Sequence, residues 1–269
     1  MRPPQCEPVG PSSRDTDVTA GTLDSRGNAV ARVVFTGLPP RYDRLAFLLS
    51  FGQDRRWRRA VVDRVVAVAP RRVLDVATGP AGVALAIADR TPASIVGVDL
   101  NVPMLAQGQA NVHAAERDAQ VRLLAARAEQ LPFDDASFDA VSFAYLLRYV
   151  DDPAATVAEM TRVLQPGGTL AGLDFFVPPR AVWRLAWRFY TAIVLPALGL
   201  LTGGRAWWKV GRFLGPNIRE HYQRHPLEQQ VRDWERAGLV DVGYRVMSVG
   251  GGVIMWGSKA APHDMVKPP

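Results

Sequence analysis

The sequence has little that could staple it, ligate a metal or export it. A single cysteine, Cys6, excludes a disulfide framework. Four histidines, at 113, 221, 225 and 263, have no metal-ligand spacing, and no metal is expected. The N-terminal run MRPPQCEPVGPSSRDTD lacks the apolar core of a signal peptide, which with the missing disulfides points to the cytoplasm. Lysine is nearly absent: Lys209, Lys259 and Lys267 stand among 32 basic residues, so the net charge of +6 is arginine charge. That balance would suit nucleic acid, an anionic membrane surface or an acidic ligand, and an arginine-rich composition explains it equally well. The arginines form no stripe interleaved with aromatics, so nucleic acid is not expected as a partner. No internal repeat is present, and neither is a Tyr-x-x-x-Lys pair.

What is present is enough apolar residue, 48%, to bury a sizeable core in one large domain. Residues 1–30 read as a flexible tail, 31–260 as a single domain and 261–269 as a second tail. The stretch 42–69 suggests two amphipathic helices parted near Phe51 and Gly52. Buried strands are expected at 71–77, 94–100, 121–126, 137–145 and 169–176, with helices at 81–90, 102–118 and 152–164 between them. Asn101 is a candidate N-cap with Pro103 in the first turn, and Gln-Pro-Gly-Gly closes the third of those helices. An apolar, aromatic insertion over 178–216 precedes a helix at 226–239. A final hairpin turns at glycines 250–252. Strands alternating with helices imply right-handed crossovers and a doubly wound α/β sheet, seven-stranded once the hairpin is added.

In such a sheet the ligand crevice lies at the carboxyl ends of the strands, so the loop D-V-A-T-G-P-A-G (75–82) faces the ligand. A dinucleotide would want G-x-G-x-x-G there, and that spacing is missing. Asp75 at the strand end suits a cationic ligand instead. Asp99, closing the second strand, can accept hydrogen bonds from both ribose hydroxyls. S-adenosylmethionine combines an ammonium, a sulfonium and an unphosphorylated ribose, and it matches both acids.

Residues 75–82, Val98 and Asp99, LPFDDASFD (131–139) and LQPGG (164–168) resemble the successive motifs of class I S-adenosylmethionine-dependent methyltransferases. YDRLAFLLSFGQDRRWRR (42–59), AEQLPFDDASFDAVSFAYLLRYVDD (128–152) and the C-terminal RHPLEQQVRDWERAGL and GGVIMWGS are similar to one branch, the quinone-biosynthesis C-methyltransferases that methylate demethylmenaquinol and polyprenyl benzoquinols. The chain departs from that branch at its glycine loop, at Arg127, where the branch often has Asn or Asp near the adenine, and at Tyr149, where the branch has Asn. The resemblance implies a Rossmann-like fold and S-adenosylmethionine as cofactor, with Asp75, Thr78, Gly79 and Gly82 around the methionine part and Asp99 on the ribose. Leu100, Met104, Arg127 and Ala128 would surround the adenine, and Ser142 would stand near the methyl.

Methylating a quinol carbon requires a base, or a cation that stabilises the phenolate. The candidates are Arg148 for the phenolate and His225 or His221 as base, with Tyr42 and Asp43 expected to cap the acceptor pocket. The competing reading of Arg148 is an ion pair with Asp151 or Asp152. Phe143 and Tyr145 divide evenly between substrate contact and core. The insertion, interrupted by Pro196 and Gly199, is expected to be too short to span a bilayer. It reads as a lid or a tunnel for an isoprenoid tail, with peripheral membrane contact through 181–208 as the alternative, which would put the protein at the inner face of the membrane. The expected partner is a lipophilic small-molecule acceptor, and a homodimer is compatible with the sequence. Rival functions are methylation of another phenolic or polyketide-like lipid and non-catalytic S-adenosylmethionine binding.

Overall fold

The computed structural model describes residues 50 and 52–261. The first expected helix, Tyr42 and Asp43 lie outside the described residues, as do the N-terminal tail and residues 262–269. Helix α1 (Gln53–Val66) leads to β1 (Arg72–Val76), α2 (Gly82–Ala88), β2 (Ser94–Asp99), α3 (Val102–Ala114), β3 (Val121–Ala125) and β4 (Phe138–Ala144). Then come α4 (Pro153–Val163), β5 (Leu164–Phe175), α5 (Ala181–Phe189), a π-helical stretch (Tyr190–Val194) and α6 (Leu195–Arg224). Helix α7 (Leu227–Arg236) and the strands β6 (Leu239–Met247) and β7 (Gly252–Lys259) complete the chain.

The seven strands form one sheet in the order β3-β2-β1-β4-β5-β7-β6. The first five are parallel, and β7 runs antiparallel to both neighbours, as the expected hairpin requires. Central strands such as β1 are continuous apolar runs because helices cover both faces. Val73 faces a layer with Trp57, Val61 and Val65 of α1 and Ile87 of α2. Leu74 and Val76 face the opposite layer, with Val157 and Met160 of α4 and Trp234 of α7. Strand order reverses between β1 and β4, both of which end at the same edge, and this sets the place of the crevice.

Local chemistry fixes the helix starts. Asn101 accepts the Met104 N–H at 3.1 Å with Pro103 in the first turn. Asp152 accepts the Ala155 N–H at 3.0 Å ahead of α4, so it is a helix cap and not a partner for Arg148. Two expectations shift. The Gln-Pro-Gly-Gly run is drawn into the start of β5, with Gly167 at φ 78° and a register shift in the pairing with β4. The final turn is a 3₁₀ segment at Ser248–Gly250, and Gly252 already belongs to β7.

The insertion is longer than its apolar composition suggested. It is a helical hairpin that runs to Arg224, broken at Gly204, whose φ of 71° and ψ of −159° few residues but glycine adopt. Small residues let the two arms touch: a Cβ on Gly199 would lie 2.7 Å from the Trp207 carbonyl oxygen, and one on Gly211 would lie 2.8 Å from Pro196 Cα. Pro196 and Gly199 do not interrupt the first arm. Pro196 falls in the first turn of α6, where the π-helical stretch before it absorbs the change in hydrogen bonding. The stretch Ala181–Arg205, with mean hydropathy 1.4, is therefore long and apolar enough to cross a membrane on those two criteria, contrary to the expectation. One of its faces is committed to the protein: Trp183, Trp187, Tyr190 and Leu195 line a cavity against the sheet.

Candidate active site

Two cavities open at the carboxyl ends of β1, β2 and β4. The first is walled by the loop after β1, by Val98, Leu100 and Asn101 after β2, by Met104 of α3 and by Ala126, Ala128 and Glu129. The loop is held in an unusual shape. Ala77, Gly79 and Ala81 all have positive φ (56°, 54° and 65°), and alanine reaches that region only under strain. The reward is an open cradle, since a Cβ built on Gly79 meets nothing within 4 Å. Asp99 ties the loop down: its Oδ2 accepts the Gly79 N–H and its Oδ1 the Asn101 N–H, each at 2.8 Å. Each carboxylate oxygen has a further lone pair, so the ribose role remains open to it.

Asp75 is fully buried at the cavity wall. Its two oxygens accept the hydroxyls of Thr78 and Ser142, both at 2.7 Å. Burial pushes its carboxyl up to about 6, against the pull of those two hydroxyls and of the Arg58 charge. A buried acid held ready in this way is matched to a cationic group. Ser142 and Thr78 thus act on Asp75, and Ser142 is not itself part of the wall.

The second cavity, about 550 Å³, lies between the sheet edge and the helical hairpin. Trp57, Phe175, Trp183, Trp187, Leu195 and Trp207 make it apolar, and Asp54, Arg148, Tyr145 and Tyr149 are among its polar groups. Tyr145 and Tyr149 belong to both cavity walls, so the two spaces meet there. Tyr145 sits at φ 60° just past β4, its ring stacked on Phe175 at 4.5 Å and its hydroxyl donating to Asp54 Oδ1 at 2.6 Å. Phe143, by contrast, is core: it packs toward Trp234 and over Gly172.

Arg148 lines the second cavity with a side chain only 1% exposed. Its partner is Asp174 of β5, not Asp151 or Asp152: Nε donates to Asp174 Oδ1 at 2.6 Å, and Nη1 donates to Asn217 Oδ1 at 2.8 Å. The Asp174 charge keeps the guanidinium protonated although burial opposes it. Burial raises the Tyr149 hydroxyl above the usual phenol range.

Several expected residues are not brought to either cavity. Because α6 continues past residue 216, His221 falls inside it, buried, with burial holding its imidazole down to about 3. His225 caps the same helix, its ring 5.3 Å from that of His221, and neither histidine lines either of these two cavities. Arg127 turns toward Glu129 at 3.6 Å, leaving Glu129 on the wall in its place. Gly82 begins α2 beside Arg58 and is likewise off the wall. The residues that sequence reasoning missed are Asp54, Trp57, Arg58, Asp174 and Asn217. Asp54 and Arg58, one helical turn apart and paired at 2.8 Å, look in sequence like an ordinary solvated helix pair.

A model of the ubiE/COQ5 methyltransferase family matches residues 23–259. The chain belongs to that family. It is therefore an S-adenosylmethionine-dependent methyltransferase. It is 38% identical over 227 residues to the demethylmenaquinone methyltransferase of Thermus thermophilus, covering 84% of this chain and 100% of that one. It is 37% identical over 225 residues to the ubiquinone/menaquinone biosynthesis C-methyltransferase UbiE of a Geobacter species, covering 83% and 91%. Among solved structures, the [4+2]-cyclase SpnF aligns with a TM-score of 0.54 at 18% identity, over 77% of this chain and 81% of that one. An O-methyltransferase family protein from Burkholderia thailandensis aligns with a TM-score of 0.56 at 18% identity, over 78% and 57%. These structures establish the class I fold; a cyclase among them illustrates why the acceptor must be argued from the site.

Proposed function

We propose that the protein C-methylates a lipophilic quinol, demethylmenaquinol, using S-adenosylmethionine held in the first cavity. The observation that carries this reading is the meeting of the two cavities at Tyr145 and Tyr149. One cavity has acids suited to a cation, and the other has the volume and aromatic lining of a site for a ring with an apolar tail. When bound, the cofactor supplies a methyl group on a positively charged sulfur. Asp75, fixed by Thr78 and Ser142, would hold its ammonium directly or through a water. Asp99 would take the ribose, and Leu100, Met104 and Ala128 the adenine. Arg148 would stabilise the phenolate oxygen of the acceptor ring in the second cavity. The apolar walls exclude water and align ring and methyl, which is most of what this reaction asks of an enzyme.

The helical hairpin has two apolar faces. Trp183 and Trp187 turn to the cavity, while Leu185, Phe189 and Leu201 are exposed, at 70%, 58% and 82%, beside Arg184, Arg188 and Arg205. The outer face supports a position flat on the membrane interface, where a polyprenyl tail could enter the cavity directly. The test of function is turnover of demethylmenaquinol with methyl-labelled cofactor, the product identified by mass and by the carbon that carries the label. Menaquinol with a labelled ring methyl is expected. A labelled methyl on oxygen, or turnover of other phenolic lipids only, would replace this acceptor.

A further inference from the structure

A phenolate-stabilising cation does not by itself remove the acceptor's hydroxyl proton, and among the described residues neither expected histidine is in place to do so. Neither His221 nor His225 lines either of the two cavities, and Asp174 is behind Arg148 rather than in the wall. Among the described residues, one carboxylate lines the acceptor cavity, that of Asp54 on α1. It is 8% exposed and fixed on two sides, by Arg58 Nε on Oδ2 at 2.8 Å and by the Tyr145 hydroxyl on Oδ1 at 2.6 Å. Tyr145, like Tyr149, lines both cavities, and its hydroxyl is bonded to Asp54 at the seam where the acceptor ring and the methyl are to meet. Its backbone is held at φ 60°, with the amide N–H donated to the Leu173 carbonyl at 2.8 Å, a conformation that spends backbone strain on aiming this ring.

Resting on the quinol reading above, we propose that Asp54 is the proton acceptor of the reaction, reached through the hydroxyl of Tyr145. The quinol hydroxyl gives its proton to the Tyr145 oxygen as Tyr145 passes its own to Asp54 Oδ1. The ring carbon next to the phenolate then forms a bond to the methyl carbon, and the electron pair of the broken carbon–sulfur bond stays on sulfur. The resulting ring ketone loses the proton from the methylated carbon and regains the hydroxyl proton from the Tyr145–Asp54 pair, so one proton leaves per turnover. The first transfer is uphill for a carboxylate acting alone. Arg148 offsets it by stabilising the phenolate, as the positive charge of a bound cofactor would. Tyr145 is a catalytic residue in this scheme, because it touches the ring oxygen, and Asp54 is the base behind it.

The test compares Asp54→Asn and Tyr145→Phe with the unaltered protein on two short-tailed acceptors. One is a weakly acidic naphthoquinol; the other is a naphthol acidified by an electron-withdrawing group, so that it is already ionised at the assay pH. Both variants are expected to lose on the order of 100-fold in turnover on the first acceptor and little on the second. Asp54→Glu should recover part of the loss. An independent readout uses 4-methoxy-1-naphthol with a cationic, methyl-inert cofactor analogue: the unaltered protein should show naphtholate absorbance on binding, and Asp54→Asn should not. Folded variants that lose equally on both acceptors, or that still generate naphtholate, would overturn the assignment. Failure of the unaltered protein to methylate either naphthol or demethylmenaquinol would instead remove the underlying quinol reading.

Discussion

Cofactor binding should depend on pH through Asp75, and through Asp99, whose carboxyl burial also raises. The Asp75 carboxyl is raised from 3.8 to about 6 by burial, so the folded protein without ligand favours the neutral form below that value. The stability this form contributes is full at low pH and is lost as pH rises through about 6. A cationic ligand reverses the preference by favouring the ionised carboxylate. Affinity for S-adenosylmethionine should therefore rise between about pH 5 and about pH 7, with proton release on binding at the lower end. Calorimetry in buffers of differing ionisation enthalpy reads both, and a flat affinity would detach Asp75 from the cofactor. Asp99→Ala should weaken binding by about 1–3 kcal/mol, the scale for hydrogen bonds to a charged group, and unchanged affinity would remove the ribose role. Arg148 carries two roles that separate by a double substitution. Arg148→Ala leaves the Asp174 charge buried and unpaired, at a cost of about 3–5 kcal/mol in stability. Arg148→Met with Asp174→Leu should restore most of the melting temperature but leave turnover low, on the order of 100-fold down. Recovery of turnover in that variant would make Arg148 purely structural.

The elements legible in the sequence are those whose pattern repeats locally. The buried strands, the Asn101 cap and the closing hairpin follow from periodicity and capping chemistry, and the glycine loop marked the crevice. The far arm of the insertion is only partly legible: residues 205–216 read as part of the insertion, but 217–224, which carry Arg219, Glu220 and Arg224, give no apolar signal that the same helix continues. That hidden continuation moved His221 and His225 away from the chemistry and delivered Asn217 to Arg148. Asp54 stayed hidden for a different reason: an acid and an arginine one turn apart are common on solvated helix faces, and only the positive φ of Tyr145 turns its hydroxyl onto that carboxylate. The hairpin makes its own prediction. Gly211→Leu would force a side chain against Pro196, 2.8 Å from the first new carbon, and so spread the arms. An overpacking cost of about 1–3 kcal/mol is expected. Turnover should fall much more for long-tailed acceptors than for short ones, and an equal fall would contradict the tail-binding role of the hairpin. On its outer face, Leu185→Ser with Phe189→Ser should reduce flotation with anionic vesicles while sparing soluble acceptors. Unchanged flotation would remove the membrane-facing role.

At the scale of the whole molecule, the sheet brings two dissimilar spaces to one seam. Strand order reverses beside β1, which puts the acids of β1 and β2 on one side of the Tyr145–Tyr149 pair. The insertion, the part of the chain least dictated by the sheet, builds the apolar space on the other side. The central claim is that methyl transfer takes place across that seam. The most direct measurement is a crystal structure of the complex with S-adenosylhomocysteine and a short-tailed naphthoquinol analogue. The account predicts the sulfur directed at the gap between Tyr145 and Tyr149, with the ring beyond it against Phe175 and its oxygen within hydrogen-bonding distance of the Tyr145 hydroxyl. A ring bound outside the hairpin cavity, or a sulfur directed away from the two tyrosines, would contradict it.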